Sequence, residues 1–337
     1  MDTEQGHGPV PQSQGKHPAV AFLGPVSSYT HQAAKSVFPG DEWELLPVAT
    51  IKDVFEAVRL GRAAFGVTPF ENSTHGPVTF TLAALADRDG AYGSLTVCDE
   101  VYLAVHHYLL GRRQKPAVED EKNEKSQEDR KGVPLARLDH IARLYSHPQG
   151  FGQTTAFVRA HLAPGVETID ASSTSRAAEL AAADPTGTSA AISSALAAET
   201  TGLDVLARCI EDRADNTTRF YVLGMKGATE TKIQKTQKKT IQDQSKSLVS
   251  FTVPHRSPGA LADALDCFRR AGLNLTSINS LPSLVQPFQY LFFVEFAADR
   301  PADKTDDDPD QRIRQALAGL ADVAETWRLL GTWTKRD

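Results

Sequence analysis

The segment Asp215-Asn216-Thr217-Thr218-Arg219-Phe220 places hydroxyls and a guanidinium at the mouth of the apolar run Tyr221-Val222-Leu223. Aromatic and β-branched residues in that run predict a strand, so a Thr hydroxyl and a fixed positive charge would sit at a rigid edge. Arg presents a planar fork suited to carboxylates, and Thr218 can donate a hydrogen bond to a departing oxygen. Taken alone, the same residues also read as an Asn-rich turn before an ordinary core strand. Three more polar clusters stand between strand-like and helix-like runs. They are Glu71-Asn72-Ser73-Thr74-His75, Ser146-His147-Pro148-Gln149 with Gln153, and Ser172-Ser173-Thr174-Ser175. Ser and Thr before a helix are ordinary caps, yet the free N–H groups of a helix start also favour anions. Several such loops around one cleft would suit a ligand bearing carboxylates.

The elements that must hold these loops follow from periodicity. Ala19–Leu23, Leu45–Val48 and Ala64–Pro69 read as strands. Helices are expected over Ser28–Val37, capped by Ser27 or Ser28, and over Ile51–Val58, capped by Thr50. Such alternation predicts an α/β layer architecture, in which ligands gather at the carboxyl ends of strands. Past residue 247 the order becomes β-α-β-β-α-β, that of a ferredoxin-like unit. Residues 1–17 are read as a disordered tail, 112–132 as a charged solvated insertion and 226–246 as a linker rich in Lys, Gln and Thr.

Bulk properties narrow the function. A chain of 337 residues is expected to form two or three domains. The net charge of −6 argues against non-specific nucleic-acid binding. No apolar run approaches a membrane span, and Cys98, Cys209 and Cys267 are scattered without metal or disulfide spacing. A cytoplasmic protein is expected. Neither a phosphate loop nor a Gly-x-Gly-x-x-Gly follows the first strand, and no Gly-x-Ser-x-Gly elbow is present. His106 and His107, adjacent on a strand-like run, would point to opposite faces and make a poor metal pair. His75 and His147 read as loop residues.

The ordered motifs Leu23-Gly24-Pro25 with Ser28-Tyr29-Thr30, Gly66-Val67-Thr68-Pro69-Phe70-Glu71-Asn72-Ser73, Ser146-His147-Pro148-Gln149, Ser173-Thr174-Ser175, Ala190-Ala191-Ile192 with Gly202-Leu203, and Asn216-Thr217-Thr218-Arg219-Phe220 carry a resemblance. From Ala19 to Trp333 the chain resembles the prephenate dehydratase family, with a tail similar to its amino-acid-sensing ACT domain. The two low-complexity segments look like those of a fungal form. The resemblance implies decarboxylating dehydration of prephenate to phenylpyruvate, without a redox cofactor or metal. It implies a catalytic domain over 18–225 with two lobes (about 18–104 plus 205–225, and about 105–204), like a type II periplasmic binding protein, and an ACT domain over 247–337.

In the site so implied, Thr218 assists the 4-hydroxyl and Arg219 binds a carboxylate or orients its loop. Asn72, Ser73, Ser146, Gln153, Ser173 and Thr174 line the cleft, Glu71 fixes its loop and Phe220 packs beside or beneath the ring. For regulation, the resemblance points to phenylalanine bound between paired ACT domains at Pro258, Gly259, Ala260, Leu261, Asn274, Leu275, Asn279 and Ser280. The family's Glu-Ser-Arg-Pro is here Asn279-Ser280-Leu281-Pro282, with both charged positions lost. A homodimer or homotetramer is expected. Two alternatives stay open: an arogenate dehydratase, and a catalytically silent binding protein with an amino-acid sensor. Thr218, Arg219, Asn72 and Gln153 together speak against the second.

Overall fold

A computed structural model describes residues 17–114, 131–227, 245–298 and 308–334. The tail, most of the charged insertion (115–130) and most of the linker (228–244) therefore lie outside the described residues.

The first lobe is built from β1 (Ala19–Leu23), α1 (Tyr29–Val37), β2 (Glu44–Val48), α2 (Ile51–Arg59), β3 (Phe65–Asn72), the short β4 (Gly76–Pro77), α3 (Thr79–Ala86) and β5 (Leu95–Ala104). Its local signals act as expected. Ser28 caps α1 by accepting from the His31 N–H. Thr50 and Asp53 form a reciprocal capping box on α2. That helix buries Ile51, Val54, Phe55, Ala57 and Val58, and it lies so near β3 that a Cβ at Gly66 would stand 2.7 Å from Val54 Cγ1. Strand β1 pairs in parallel with β2 and β3.

The second lobe comprises β6 (Tyr108–Gly111), β7 (Arg143–Ser146), α4 (Pro148–Gly152), α5 (Thr155–His161), β8 (Glu167–Asp170), α6 (Thr174–Ala182), β9 (Ser189–Ser193), α7 (Ala195–Thr201) and β10 (Asp204–Ala207). Its sheet order is β10-β6-β9-β7-β8. Alanines on α6 and β9 (Ala177, Ala178, Ala181 and Ala191) share one buried cluster, and their small side chains let that helix lie close to the sheet. The chain then returns to the first lobe as β11 (Thr217–Met225), antiparallel to β3 and β5. The lobe boundary expected at residue 205 is corrected: β10 pairs with β6 and belongs to the second lobe. Two crossing segments, about 105–107 and 208–216, run side by side. Val105 N–H donates to Asn216 O (2.8 Å) and Ile210 N–H to His107 O (2.9 Å).

The third unit has the expected order: β12 (Ser245–Thr252), α8 (Ala260–Arg270), β13 (Asn274–Pro282), β14 (Tyr290–Ala298), α9 (Pro309–Val323) and β15 (Thr326–Thr334). It is less separate than a linker suggests. Strand β15 joins β5 in parallel at Gly331 and Val97, so one sheet runs β13-β14-β12-β15-β5-β11-β3-β1-β2 through both units. Leu248, Phe293, Leu330 and Trp333 share a buried cluster with Phe70, Val97 and Tyr221 of the first lobe. The expected linker also extends too far. Lys246 lies on β12, only 5% exposed, among carboxylates. Among the described residues no helix is long and apolar enough to cross a membrane.

Candidate active site

The loops at the carboxyl ends of β1, β3 and β7 open into a cleft of about 630 Å³ between the lobes. A slightly larger hollow of about 740 Å³ beside α2 and α3 is mainly apolar and carries none of the four polar clusters. Chemistry therefore points to the interlobe cleft.

Strand β11 sets the site by alternation. Thr218 and Phe220 face the cleft, whereas Arg219 and Tyr221 face the opposite side of the sheet. Thr218 lies in register with Asn72 on β3 and Leu103 on β5. The pairing then slips: Arg219 stands opposite Glu71 but Phe220 opposite Pro69, making Phe70 the extra residue of a bulge.

Asn72 is the hub. Its Nδ2 donates to Thr218 Oγ1 (2.9 Å) and Asn216 Oδ1 (2.8 Å). Its Oδ1 accepts from the Thr74 N–H (3.0 Å), the Thr74 hydroxyl (2.7 Å) and the His75 N–H (3.1 Å). The Thr218 oxygen thus acts as acceptor toward the protein, which leaves its own O–H to donate into the cleft.

A second chain of bonds crosses between lobes. Tyr29 OH lies 2.9 Å from His107 Nδ1, and His107 Nε2 lies 2.6 Å from Gln153 Oε1. Gln153 Nε2 reaches the Thr74 hydroxyl (3.4 Å) and His75 Nδ1 (3.2 Å) on the opposite lobe. With the Gln153 oxygen accepting, His107 carries its proton on Nε2. Burial lowers the His107 pKa, keeping the ring neutral, and burial raises that of Tyr29.

Ser173 caps α6 (Oγ accepting from the Arg176 N–H, 3.0 Å) and stands in the cleft wall with Thr174. Helices α1 and α3 also start at the wall, α3 without a side-chain cap. Among the described residues the cleft lining contains no Lys or Arg; its titratable groups are Tyr29, His75, His107 and His147. The site is a set of neutral donors and helix starts.

Six of the expected site residues meet here: Asn72, Gln153, Ser173, Thr174, Thr218 and Phe220, the last 1% exposed beneath the cleft. Four do not. Arg219 is 6% exposed and its guanidinium bonds Glu100 and Glu295 on the far side of the sheet, because the residue after Thr218 must point away from it. Ser146 is fully buried and donates to Ile192 O; its hydroxyl occupies the space a Cβ at Gly150 would need. Ser73 clasps its loop to β11, its Oγ accepting from the Thr217 N–H (3.0 Å) and donating to Asp215 O (3.3 Å). Glu71 sits on the pairing edge of β3, opposite Arg219 and Pro77, outside the cleft lining.

Tyr29 and His107 were not expected in the site. Tyr29 had a signal in the Ser28-Tyr29-Thr30 motif. His107 had none, since its partners arrive from α1 and from the end of α4. Its neighbour His106 pairs with Glu211 (2.7 Å), and His106, Cys209 and Glu211 are the single described group with potential metal-ligand atoms within 4.8 Å of one another.

In the third unit, Gly259, Ala260 and Leu261 line a hollow of about 230 Å³ with His255, Gln289 and Tyr290. Pro258, Asn274, Leu275, Asn279 and Ser280 are outside its lining. Strand β13 pairs Asn274 with Ala297 and Pro282 with Tyr290, so Asn274 and Leu275 sit at the strand end away from this hollow.

Fold and site together define a two-lobed α/β protein with a cleft lined by neutral donors, fused to a ferredoxin-like domain. The prephenate dehydratase family model matches residues 20–228, and the chain belongs to that family. A Lactococcus lactis subsp. cremoris prephenate dehydratase is 30% identical over 315 residues, covering 94% of this chain and 97% of that protein. The solved prephenate dehydratase of Arthrobacter aurescens in complex with L-Phe has a TM-score of 0.72 and 29% identity, covering 94% of this chain and 90% of the other. The quorum-quenching acylase GqqA has a TM-score of 0.70 and 26% identity, covering 94% and 98%. Since one scaffold bears both descriptions, the cleft must decide the chemistry.

Proposed function

We propose that the cleft carries out the decarboxylating dehydration of prephenate with Thr218 as donor to the departing 4-hydroxyl. The observation that carries this reading is the bond from Asn72 Nδ2 to Thr218 Oγ1. It fixes the oxygen as acceptor and frees one proton for the cleft. The C–CO2 bond releases CO2, its electron pair enters the ring, and the C–O bond to the 4-hydroxyl breaks. Hydroxide departs against the Thr218 O–H, takes that proton to become water, and Thr218 regains a proton from solvent, so one solvent proton is consumed per turnover. A positioned donor of this kind contributes roughly 10²–10⁴-fold.

Two substrate carboxylates must be held by a lining whose described residues include no Lys or Arg. We assign that work to Ser173, Thr174 and the starts of α1 and α6, where N–H dipoles favour anions. A cationic partner would stabilise the ring carboxylate against loss of CO2. Neutral donors leave it closer to its transition state. Asn72 orients Thr218, Gln153 ties the lobes through His107, and Phe220 forms the floor.

The C-terminal unit is inferred to sense L-phenylalanine, the molecule held in the Arthrobacter complex, and the hollow at the α8 start is inferred to take it. Asn274, Leu275, Asn279 and Ser280 lie on the outermost strand of the sheet. Within one chain Asn274 and Leu275 are remote from that start, so a partner's β13 is inferred to complete the site in a homodimer or tetramer. Turnover of prephenate and arogenate under identical conditions, with and without L-phenylalanine, tests the assignment. Prephenate turnover that falls on adding L-phenylalanine supports it. Turnover of arogenate alone, or of neither, overturns it.

A further inference from the structure

Arg219 touches nothing in the cleft, yet it follows Thr218 directly on β11. Its Nε donates to Glu100 Oε2 on β5 (2.7 Å), and its Nη2 pairs with both Glu100 and Glu295, the latter on β14 of the sensor unit. Lys246 on β12 completes the set, 3.1 Å from Glu100 and 3.4 Å from Glu295. Arg219, Glu100, Glu295 and Lys246 are 6, 0, 1 and 5% exposed. Two cations and two carboxylates are therefore buried as a neutral set, one of each sign from each unit. Glu295 also accepts from Tyr221 OH (2.9 Å) and the Thr276 hydroxyl (2.5 Å).

The guanidinium is flanked by three rings, its carbon 5.3 Å from the centroid of Phe70, 5.7 Å from Tyr102 and 4.9 Å from Tyr221. Phe70 is the bulged residue two positions before Asn72. One side chain thus fixes the backbone beside Thr218 on β11 and the bulge that aims Asn72 on β3. A buried ion set is a weak stabiliser compared with apolar packing of the same shape, because desolvation offsets attraction. It is, however, directional. The shared apolar cluster already holds the two units together, and what the charges add is a fixed angle.

We propose that Arg219 is a positioning residue for the Thr218–Asn72 pair, anchored by Glu295, so that the seating of the sensor unit sets the geometry of the catalytic hydroxyl. This rests on the reading of Thr218 as donor to the departing oxygen. Arg219 keeps its two strands in register for the hydroxyl, and the sensor supplies its second counter-charge.

The test uses the full chain carrying Glu295→Gln, a change of charge without change of shape, in a unit that contributes nothing to the cleft lining. Turnover per folded site is expected to fall about tenfold to a hundredfold, as for a misplaced catalytic group. KM should stay within about threefold, because uniform binding is untouched. Combining it with Arg219→Lys should cost less than the product of the two single losses. Should Glu295→Gln not fold, Tyr221→Phe removes one hydrogen bond that a neutral hydroxyl donates to Glu295 and should lower kcat by a smaller factor, again without moving KM. A merely structural role would reduce the yield of folded protein and leave kcat per folded site at the wild-type value, and that result overturns the proposal. Thr218→Ala, measured alongside, separates the two claims. A collapse there with unchanged kcat in Glu295→Gln sinks the positioning role alone. Wild-type turnover in Thr218→Ala removes the reading beneath it.

Discussion

Asn72→Asp isolates the direction of one hydrogen bond. In the native site Asn72 Nδ2 donates to Thr218 Oγ1 at 2.9 Å, while Oδ1 accepts from the Thr74 and His75 N–H groups. The substitution keeps the second set, because one carboxylate oxygen takes the place of Oδ1. The other oxygen replaces the donor, so Thr218 would turn its proton toward the introduced carboxylate and away from the cleft. A neighbouring group limits the structural cost. Among the described residues Asn216 Nδ2 is a buried donor without a hydrogen-bond partner; turning that amide over would present it to the new carboxylate and satisfy both. Global stability should therefore change by no more than about 1 kcal/mol, the scale of one exchanged hydrogen bond. Loss of the donor should raise the barrier by about 3–5 kcal/mol, equivalent to 10²–10⁴ in kcat. The assay is steady-state release of phenylpyruvate, paired with urea unfolding of the same preparation. A variant that folds normally and turns over within about threefold of wild type would refute the argument that proton direction at Thr218 matters.

Further expectations follow from other parts of the molecule. Gly331→Ala forces a Cβ against the Val97 carbonyl, which that Cβ would overlap; denaturant melts should show a loss of about 1–3 kcal/mol, as for overpacking. Burial holds His107 below its ordinary pKa of 6.5. Its contribution to stability is therefore complete above 6.5 and is lost as pH falls from there toward its lower folded value. The slope of stability against pH below 6.5 should flatten in His107→Gln, and an unchanged slope would contradict the assignment. Gln153→Ala severs the tie between His107 and the opposite lobe. KM should rise about tenfold with kcat altered less, whereas a pure kcat loss would place Gln153 in the chemistry. Because no Lys or Arg lines the cleft among the described residues, kcat/KM should not fall as salt rises, as it would with cationic steering.

Local signals in the sequence were reliable where structure is local. The caps at Ser28, Thr50 and Ser173 sit where their residue types place them, and the β-α-β-β-α-β order of the C-terminal unit was legible from periodicity. Thr218 and Asn72 were legible as a pair only through the resemblance, since 146 residues of chain separate strands that are neighbours in the sheet. Of the two roles expected of Arg219, contact with a carboxylate of the ligand does not fit its place, whereas orientation of its own segment does. Alternation along β11 turns it away, and its anchor Glu295 lies in another unit. Lys246 was hidden by its company, a run of Lys and Gln that reads as solvated. Ser146 sits in a loop motif yet serves packing beneath Gly150, a role set by a close approach that only three dimensions reveal. His107 was invisible for another reason: its partners, Tyr29 and Gln153, arrive from remote elements.

The role of Thr218 as donor is tested most directly by Thr218→Ala, followed by rapid mixing with saturating prephenate under single-turnover conditions. The rate of phenylpyruvate formation should fall by about 10²-fold or more, with substrate binding within a few-fold of wild type. A single-turnover rate equal to that of the wild type would contradict that role.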